Sequence, residues 1–366
     1  MRKLLCALII MIGVTAAPAA AEEIATSAKA CVVIDADTGR VLLHHNADAP
    51  LPMASTTKIM TALVALENAS LDENVTAGRN AFGVPGTSIY LDLGESLTME
   101  QMLYGLMIAS GNDAAVAIAE HVGGTVEAFC RMMTQRAASI GCTDTVFLTP
   151  HGLPKDGHHT TARDLALITR EAMRHETFRA IVSTQRATIP WHGRDYDRVL
   201  TNQNRLLAGY EGATGVKTGY TRAAGRCLVT AAERGGVRLI CVVLNCWDWF
   251  DESARLLDSA FARWERVDML HKGECIREIP VEGGANACRA VLTADLSGLA
   301  ADGDLPSLEI DLPAALTAPV HAGTVLGEVR LVSGGETIGA AQLVAEADVP
   351  EETFRSHVER IVGLWR

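Results

Sequence analysis

The stretch PMASTTKIMTAL (residues 52–63) places Ser55 three residues before Lys58 at the start of a long apolar run. This pattern predicts a buried or half-buried helix from Ser55 to about Asn68. Residues i and i+3 share one helix face, so Ser55 and Lys58 point the same way. A lysine inside a protein core is costly unless it is neutral or paired. Lys58 is therefore a candidate functional residue.

The rest of the chain predicts an α/β (α+β) fold. Strands at both ends with helices between them indicate an antiparallel sheet covered by helices. From about Lys272, short alternating segments and a turn over 333–336 predict a small all-β domain of about 75 residues. The main predicted elements are a β-hairpin over 30–43, helices over 97–122 (interrupted at 110–112), 126–140, 161–175 and 252–266, and strands over 215–220, 227–232 and 237–244.

Length and charge narrow the function classes. The 366 residues suggest about two domains, and the 48% hydrophobic content is typical of a folded protein. The formal net charge of -12 argues against nucleic acid as a partner.

The N-terminus reads as a signal peptide over residues 1–21. Arg2 and Lys3 precede an apolar run over 4–14, and Ala19-Ala20-Ala21 offers a cleavage site before Glu22. The run is shorter than the ~20 residues that a spanning helix needs, although an uncleaved anchor is the alternative. We therefore expect an exported protein that acts outside the cytoplasm.

An even number of cysteines remains after removal of this segment. Exported proteins permit disulfides, and Cys130 with Cys142 and Cys275 with Cys288 are the pairs closest to plausible. The alternative is that most are small buried apolar residues. The eight are Cys31, Cys130, Cys142, Cys227, Cys241, Cys246, Cys275 and Cys288.

The C-terminal segment, residues 350–366, is amphipathic when drawn as a helix. Phe354, Val358, Ile361 and Trp365 fall on one face. Such a segment either lies on a membrane surface, which would attach the protein peripherally to the cell membrane, or packs on its own domain.

Three short motifs occur in a recognisable order. Ser55-x-x-Lys58 opens a helix, Ser110-Gly111-Asn112 breaks a helical region, and Lys217-Thr218-Gly219 begins a strand. Each alone is weak, since the second could be a helix end and the third an ordinary strand edge. Together, in this order and on these elements, they form a known catalytic set.

With these motifs, the sequence resembles the low-molecular-mass penicillin-binding proteins that are serine-type D-alanyl-D-alanine carboxypeptidases. The segments TPHGL (149–153), TARDLA (161–166) and GVKTGYTRAAGRCLV (215–229) extend the resemblance over nearly the whole mature chain. It implies the penicillin-binding or β-lactamase-like transpeptidase fold. It also implies a catalytic domain over 22–270, a β-domain over 271–349 and a terminal segment over 350–366.

The resemblance also implies an activity, the removal of the terminal D-alanine from peptidoglycan stem peptides that end in D-Ala-D-Ala. β-lactam antibiotics would be covalent inhibitors, and no cofactor or metal is implied. The implied catalytic residues are Ser55 as nucleophile, Lys58 as base, Ser110 as proton relay and Asn112 as a positioning group. The implied substrate-binding residues are Lys217, Thr218, Gly219 and Tyr220.

One departure from the family pattern concerns the substrate carboxylate. Many relatives carry an arginine just before the helix that follows the last sheet strands, but residues 245–252 (NCWDWFDE) contain none. Arg222 or Arg255 are candidates to replace it, unless Lys217 and Thr218 act alone.

Three rival functions follow from the same residues. A class A β-lactamase needs a deacylating glutamate, and residues 143–151 (TDTVFLTPH) contain none. A zinc carboxypeptidase would use two or three imidazoles with a carboxylate. An inactive wall-binding scaffold is the non-enzymatic rival, and it is disfavoured because the motifs are intact. The candidate zinc ligands are His151, Asp156, His158 and His159.

Overall fold

The computed structural model describes residues 22–353, and these form two compact units, one ending at Arg266 and one beginning at Val267. The elements of the first unit are β1 (Glu22–Glu23), β2 (Ala30–Asp35), β3 (Val41–His45), a 3₁₀ helix (Ala54–Thr57), α1 (Lys58–Asn68), β4 (Asn74–Thr76), β5 (Ser96–Thr98), α2 (Met99–Met107), α3 (Asn112–Gly123), α4 (Val126–Ile140), α5 (Ala162–Ala172), α6 (Glu176–Ser183), β6 (Arg186–Ile189), β7 (Arg198–Thr201), α7 (Leu206–Gly209), β8 (Ala213–Thr221), β9 (Gly225–Arg234), β10 (Val237–Leu244) and α8 (Trp249–Phe261).

A six-stranded sheet organises this unit, in the order β1-β3-β2-β10-β9-β8. All neighbours are antiparallel except β1 and β3. Strand β2 is buried along its whole length, as expected of a strand that is covered on both faces. Strand β8, which carries Lys217, lies at the edge of the sheet, so its outer side is free to face the turn that carries Ser55.

Helices cover both faces of the sheet. Val32 and Ile34 share a core cluster with α1, α3 and α5, while α8 packs on β9 and β10. Helix α1 is buried from Lys58 to Ala65 and packs against α2, α3, α4 and α5. The antiparallel sheet covered by helices confirms the predicted α/β class.

The predicted break between the second and third helices is present. Helix α2 starts with a capping box in which Thr98 and Gln101 exchange side-chain-to-backbone hydrogen bonds. It ends at Met107, and Ser110 adopts a positive φ of 62°. Helix α3 then starts at Asn112, so a polar side chain begins a helix inside the core.

Two predicted helix bounds were wrong. The helix predicted over 161–175 ends at Ala172, and a separate helix, α6, follows it. The helix predicted over 252–266 runs from Trp249 to Phe261, and residues from Trp264 form strand β11 (Trp264–Leu270). Trp264 is buried and Glu265 exposed, an alternation that fits a strand better than a helix.

The second unit is an all-β domain, as predicted. A five-stranded sheet in the order β12-β14-β19-β18-β16 encloses a core that includes Ile279, Leu331 and Leu343. Its strands after β11 are β12 (Cys275–Ile279), β13 (Val281–Glu282), β14 (Cys288–Leu292), β15 (Leu296–Ala301), β16 (Ser307–Asp311), β17 (Leu316–Thr317), β18 (Val325–Ser333) and β19 (Glu336–Ala345).

The hairpin between β18 and β19 shows why its turn is glycine-rich. Ser333 pairs with Glu336, so Gly334 and Gly335 form a two-residue loop. Both have positive φ, 56° and 80°, as a type I′ turn requires. The predicted turn over 333–336 is therefore confirmed.

The cysteines of the described chain do not form the predicted disulfide bonds. All eight cysteines of the described chain are free thiols, so the predicted Cys130–Cys142 and Cys275–Cys288 pairs are not formed. Most are buried apolar residues, the alternative that the sequence left open.

Among residues 22–353, no helix has the length and apolarity to cross a bilayer. The predicted signal peptide over 1–21 and most of the predicted amphipathic segment, residues 354–366, lie outside the described residues.

A buried ion pair joins two surface segments of the first unit. Arg198 at the start of β7 donates two hydrogen bonds to the Glu95 carboxylate, at 2.6 and 2.7 Å. The two side chains are only 3% and 2% exposed. Arg198 also donates to the carbonyls of Tyr90 and Pro190, so the pair fixes the segment before β5 to the β6–β7 hairpin.

Removing one partner of this pair should leave the other buried and uncompensated. We expect Glu95→Ala and Arg198→Ala each to lower the free energy of unfolding by ~3–5 kcal/mol, measured by urea denaturation. The double variant should lose clearly less than the sum. Asp48→Ala, which breaks the exposed pair with Arg163, should cost less than ~1 kcal/mol. Additive losses at Glu95 and Arg198 would contradict this account.

Candidate active site

The Ser55 turn precedes helix α1 directly. Residues Ala54–Thr57 form a 3₁₀ turn, and Ala54 adopts a positive φ of 49°. The hydroxyls of Thr56 and Thr57 donate to the carbonyls of Met53 and Ala54, at 2.6 and 2.8 Å. These two bonds fix the backbone that carries Ser55, whose side chain remains half-buried.

Lys58 is fully buried, and its amine reaches three oxygens. Its Nζ lies 3.0 Å from Ser55 Oγ, 2.7 Å from Asn112 Oδ1 and 3.0 Å from the carbonyl oxygen of His151. Carbonyl and amide oxygens can only accept hydrogen bonds. A neutral amine would therefore give its two N–H groups to Asn112 and His151 and direct its lone pair at the Ser55 hydroxyl.

Asn112 is held in the orientation that this arrangement needs. Its Nδ2 donates to the carbonyl of Pro85 at 2.7 Å, which turns Oδ1 toward Lys58. Its backbone N–H donates to Thr87. The neighbouring Asp113 carboxylate accepts from the Ser88 hydroxyl and from the backbone N–H groups of Ile89 and Leu91. The start of α3 thus anchors the 85–91 segment beside Lys58.

Glycines allow two segments to approach the Ser55 turn closely. A Cβ at Gly219 on β8 would lie 2.8 Å from the Ser55 backbone nitrogen. A Cβ at Gly152 would lie 1.8 Å from the carbonyl oxygen of Ala54. Real Cβ atoms do not tolerate such distances, so both positions need glycine if the edge strand and the 149–153 loop are to flank Ser55.

Burial lowers the basicity of both lysines at this site, and Lys217 lowers that of Lys58 further. Burial lowers the Lys58 pKa well below its usual value, the charge on Lys217 lowers it further, and Asp113 opposes the effect. Burial lowers the pKa of Lys217 to about 7. The Lys217 amine donates to the carbonyl of Thr218 at 3.1 Å. The surroundings therefore favour a neutral Lys58, the form that can accept a proton.

His158 supports the turn from the opposite side. Its Nδ1 accepts from the Leu148 backbone N–H at 3.0 Å, so Nε2 carries the proton and donates to the Thr57 hydroxyl at 3.0 Å. Burial, with the nearby charges of His159 and Lys155, lowers its pKa to about 4. His158 is therefore neutral at physiological pH and holds the Thr57 hydroxyl toward Ala54.

Two family profiles match the chain. Residues 15–247 match the family described as D-alanyl-D-alanine carboxypeptidase. Residues 264–351 match the C-terminal domain of penicillin-binding protein 5. The chain belongs to the D-alanyl-D-alanine carboxypeptidase family.

Named relatives are similar in sequence to this chain over most of its length. The D-alanyl-D-alanine carboxypeptidase DacF of Bacillus subtilis is 32% identical over 355 residues, which cover 94% of this chain and 91% of that protein. DacA of Escherichia coli is 32% identical over 352 residues, 89% of this chain and 85% of that protein. The structure of penicillin-binding protein 5 from Haemophilus influenzae is 30% identical, with a TM-score of 0.76, and covers 90% of this chain and 99% of that one.

The structure brings the sequence-predicted residues together to different degrees. Hydrogen bonds connect Ser55, Lys58 and Asn112 directly. Ser110 is buried two residues before Asn112. The edge strand β8 carries all four predicted substrate-binding residues, which are Lys217, Thr218, Gly219 and Tyr220. The side chain of Tyr220 is 62% exposed.

Sequence reasoning missed the supporting residues. Sequence patterns give no role in this site to Asp113, Gly152 and His158, although Asp113 directly follows a motif residue, Gly152 lies in the TPHGL segment and His158 lies shortly after it. Their roles depend on contacts between segments that are distant in the sequence, such as the 101 residues that separate His158 from Thr57.

The candidate zinc ligands have separate protein partners. His158 bonds Thr57 and Leu148, His159 bonds Asp144 at 2.9 Å, and His151 Nδ1 accepts from the Leu153 N–H. Within residues 22–353, no group of three or more His, Cys, Asp or Glu side chains is arranged to hold a metal ion. The four predicted zinc ligands thus do not form one cluster.

The buried neutral imidazoles should make the protein sensitive to acid. Folding lowers the pKa of His158 to about 4 and that of His151 to about 3 from 6.5, so the unfolded chain binds protons first as the pH falls. Their contribution to stability is complete above pH ~6.5 and is lost as the pH falls from there toward the folded-state values.

We therefore expect the free energy of unfolding to fall between about pH 7 and pH 4.5. His158→Gln, which keeps a donor and an acceptor but does not titrate, should show a shallower pH dependence by up to one proton. Urea denaturation at several pH values measures both slopes. Equal slopes in the two proteins would show that His158 is not one of the groups responsible.

Proposed function

We propose that this family member removes the terminal D-alanine from peptidoglycan stem peptides that end in D-Ala-D-Ala, through an acyl-enzyme on Ser55. The observation that carries the proposal is the 3.0 Å contact between Ser55 Oγ and a buried Lys58 amine of lowered pKa. A serine hydroxyl is a weak nucleophile until a base takes its proton, and Lys58 is the base within reach.

In the acylation step, Ser55 Oγ attacks the carbonyl carbon of the penultimate D-alanine while its proton moves to Lys58 Nζ. The ester bond forms as the peptide C–N bond breaks. The leaving amine takes up the proton from Lys58 Nζ by way of Ser110, and free D-alanine departs. A water molecule then hydrolyses the ester and restores the Ser55 hydroxyl. No cofactor takes part in this sequence.

The oxyanion that develops during attack needs preorganised donors. We assign this role to the backbone N–H groups of Ser55 and Tyr220. The approach of Gly219 to the Ser55 nitrogen supports this assignment, because it puts the edge of β8 against the Ser55 amide. Asn112 is assigned to the substrate amide as well as to Lys58.

Lys217 and Thr218 are assigned to the substrate's terminal carboxylate. Both are almost completely buried at the edge strand, and the Thr218 hydroxyl contacts Gln203 at 3.4 Å. A buried cation next to a hydroxyl suits a carboxylate, which accepts charge-assisted hydrogen bonds.

β-lactam antibiotics are proposed to acylate the same serine. The ester should then persist, because residues 143–151 contain no glutamate to activate a deacylating water. The protein is therefore expected to be inhibited by penicillin and to turn it over slowly, unlike a β-lactamase.

The proposed site of action is outside the cytoplasm, where peptidoglycan lies. The basic and apolar N-terminal segment over 1–21 supports export as a cleaved signal peptide. We propose further that the amphipathic segment over 350–366 attaches the protein peripherally to the membrane surface. The catalytic and β-domains are assigned to residues 22–270 and 271–349.

The direct test is release of D-alanine from a peptide ending in D-Ala-D-Ala. The mature chain should release it, with and without a chelator, and Ser55→Ala should release none. Ser183→Ala, which removes an exposed hydroxyl at the end of α6, should match the wild type. Loss of activity with the chelator would favour a metal enzyme. No release by the folded wild type would contradict the proposal.

A further inference from the structure

Arg226 lies close to the proposed carboxylate site by strand register. Tyr220 on β8 pairs with Arg226 on β9, and Thr218 pairs with Leu228. Thr218 and Arg226 are therefore diagonal neighbours on one face of the sheet. Such neighbours have Cα atoms about 7–8 Å apart, within reach of a long side chain.

The Arg226 side chain is held by the loop before α8. Its Nη1 donates to the carbonyl of Trp247 at 2.8 Å, and its guanidinium lies 4.3 Å from the centre of the Trp247 ring. Its own carbonyl accepts from the Cys246 N–H at 2.9 Å. Trp247 is 73% exposed, so this large apolar side chain provides a platform for the guanidinium at the surface.

Arg226 has unused hydrogen-bonding capacity. A guanidinium has five N–H groups, and one of them is bonded to Trp247. Within the described chain, Arg226 forms no ion pair with an acidic side chain. A half-buried, oriented arginine without a carboxylate partner is suited to bind a carboxylate from a ligand.

The proposed substrate supplies such a carboxylate, and Lys217 alone is a poor partner for it. Burial lowers the pKa of Lys217 to about 7, so a large fraction of its amines is uncharged near neutral pH. An arginine remains charged over the whole physiological range.

The other candidate arginines are less suitable. Arg255 donates two hydrogen bonds to the Glu252 carboxylate, at 2.7 and 2.9 Å, and one to the carbonyl of Ala25. Arg222 is exposed in the loop between β8 and β9, and no ring or carbonyl of residues 22–353 orients its guanidinium.

We infer that Arg226, oriented by Trp247, binds the C-terminal carboxylate of the substrate together with Lys217 and Thr218, in place of the arginine that residues 245–252 lack. This inference rests on the proposed function and names the residue that gives it carboxypeptidase specificity. The positive charge that binds the leaving D-alanine would then lie on strand β9, and not in the loop that precedes α8.

The test compares a peptide ending in D-Ala-D-Ala as the free acid with the same peptide as its C-terminal amide. Loss of a charge-assisted hydrogen-bond pair should lower kcat/KM of Arg226→Gln for the free acid by about 10–100-fold. The amide has no carboxylate, so its kcat/KM should change less than about threefold. Arg226→Lys should be intermediate, because it keeps the charge but not the fork. Arg222→Gln is the matched control and should behave as the wild type.

The outcomes separate the inference from the function on which it rests. Retained preference for the free acid in Arg226→Gln would overturn the inference, and so would an equal loss on both substrates, which would indicate that Arg226 only supports the Trp247 loop. Urea denaturation of Arg226→Gln checks that the fold is intact. If the wild type released neither D-alanine from the free acid nor D-alanine amide from the amide, the proposed function itself would be wrong.

Discussion

The site depends on one constraint, an amine that is kept out of water next to a serine. Lys58 has no exposed surface, and desolvation disfavours its charged form. In the proposed mechanism, this burial lets the amine act as a base below the usual pKa of a lysine. Its three oxygen partners let the neutral form satisfy both N–H groups and leave one lone pair for Ser55. The proposed role as a base therefore explains why a lysine is buried in this apolar core.

The rest of the first unit serves to hold this arrangement. The 3₁₀ turn supplies Ser55, and helix α1 begins with Lys58. The start of α3 supplies Asn112, and the 149–153 loop supplies the His151 carbonyl. The edge strand β8 closes the other side through Gly219. Each of these segments reaches the Ser55 turn through a feature that tolerates close contact, either a glycine or an oriented amide. Buried groups such as His158 then fix the turn from behind, so the catalytic geometry and the stability of this region share the same residues.

Sequence patterns predicted the large elements and the motif residues, but not their supports. Strand β2 and helix α1 are continuous apolar runs, and the buried residues of α4 recur at helical spacing. The S-x-x-K, S-x-N and K-T-G residues are local patterns. His158 and Arg226 act through partners in other segments, so no local pattern marks them. The end of the helix predicted over 252–266 was wrong, because residues Trp264–Leu270 form a strand. The disulfide pairs failed because an even cysteine count gives no distance between thiols. Cys275 and Cys288 lie on paired strands, but their ladder partners are Val291 and Ile279.

The most direct test of the central claim is the pH dependence of Ser55 acylation by a penicillin, followed as the second-order rate constant. If burial and Lys217 keep Lys58 neutral, the rate should reach its plateau well below pH 10.5, the usual pKa of a lysine, and fall only as Lys58 becomes protonated at lower pH. A rate that continues to rise through pH 10.5 would show that Lys58 has an ordinary pKa. In that case the buried amine would not be the base that activates Ser55.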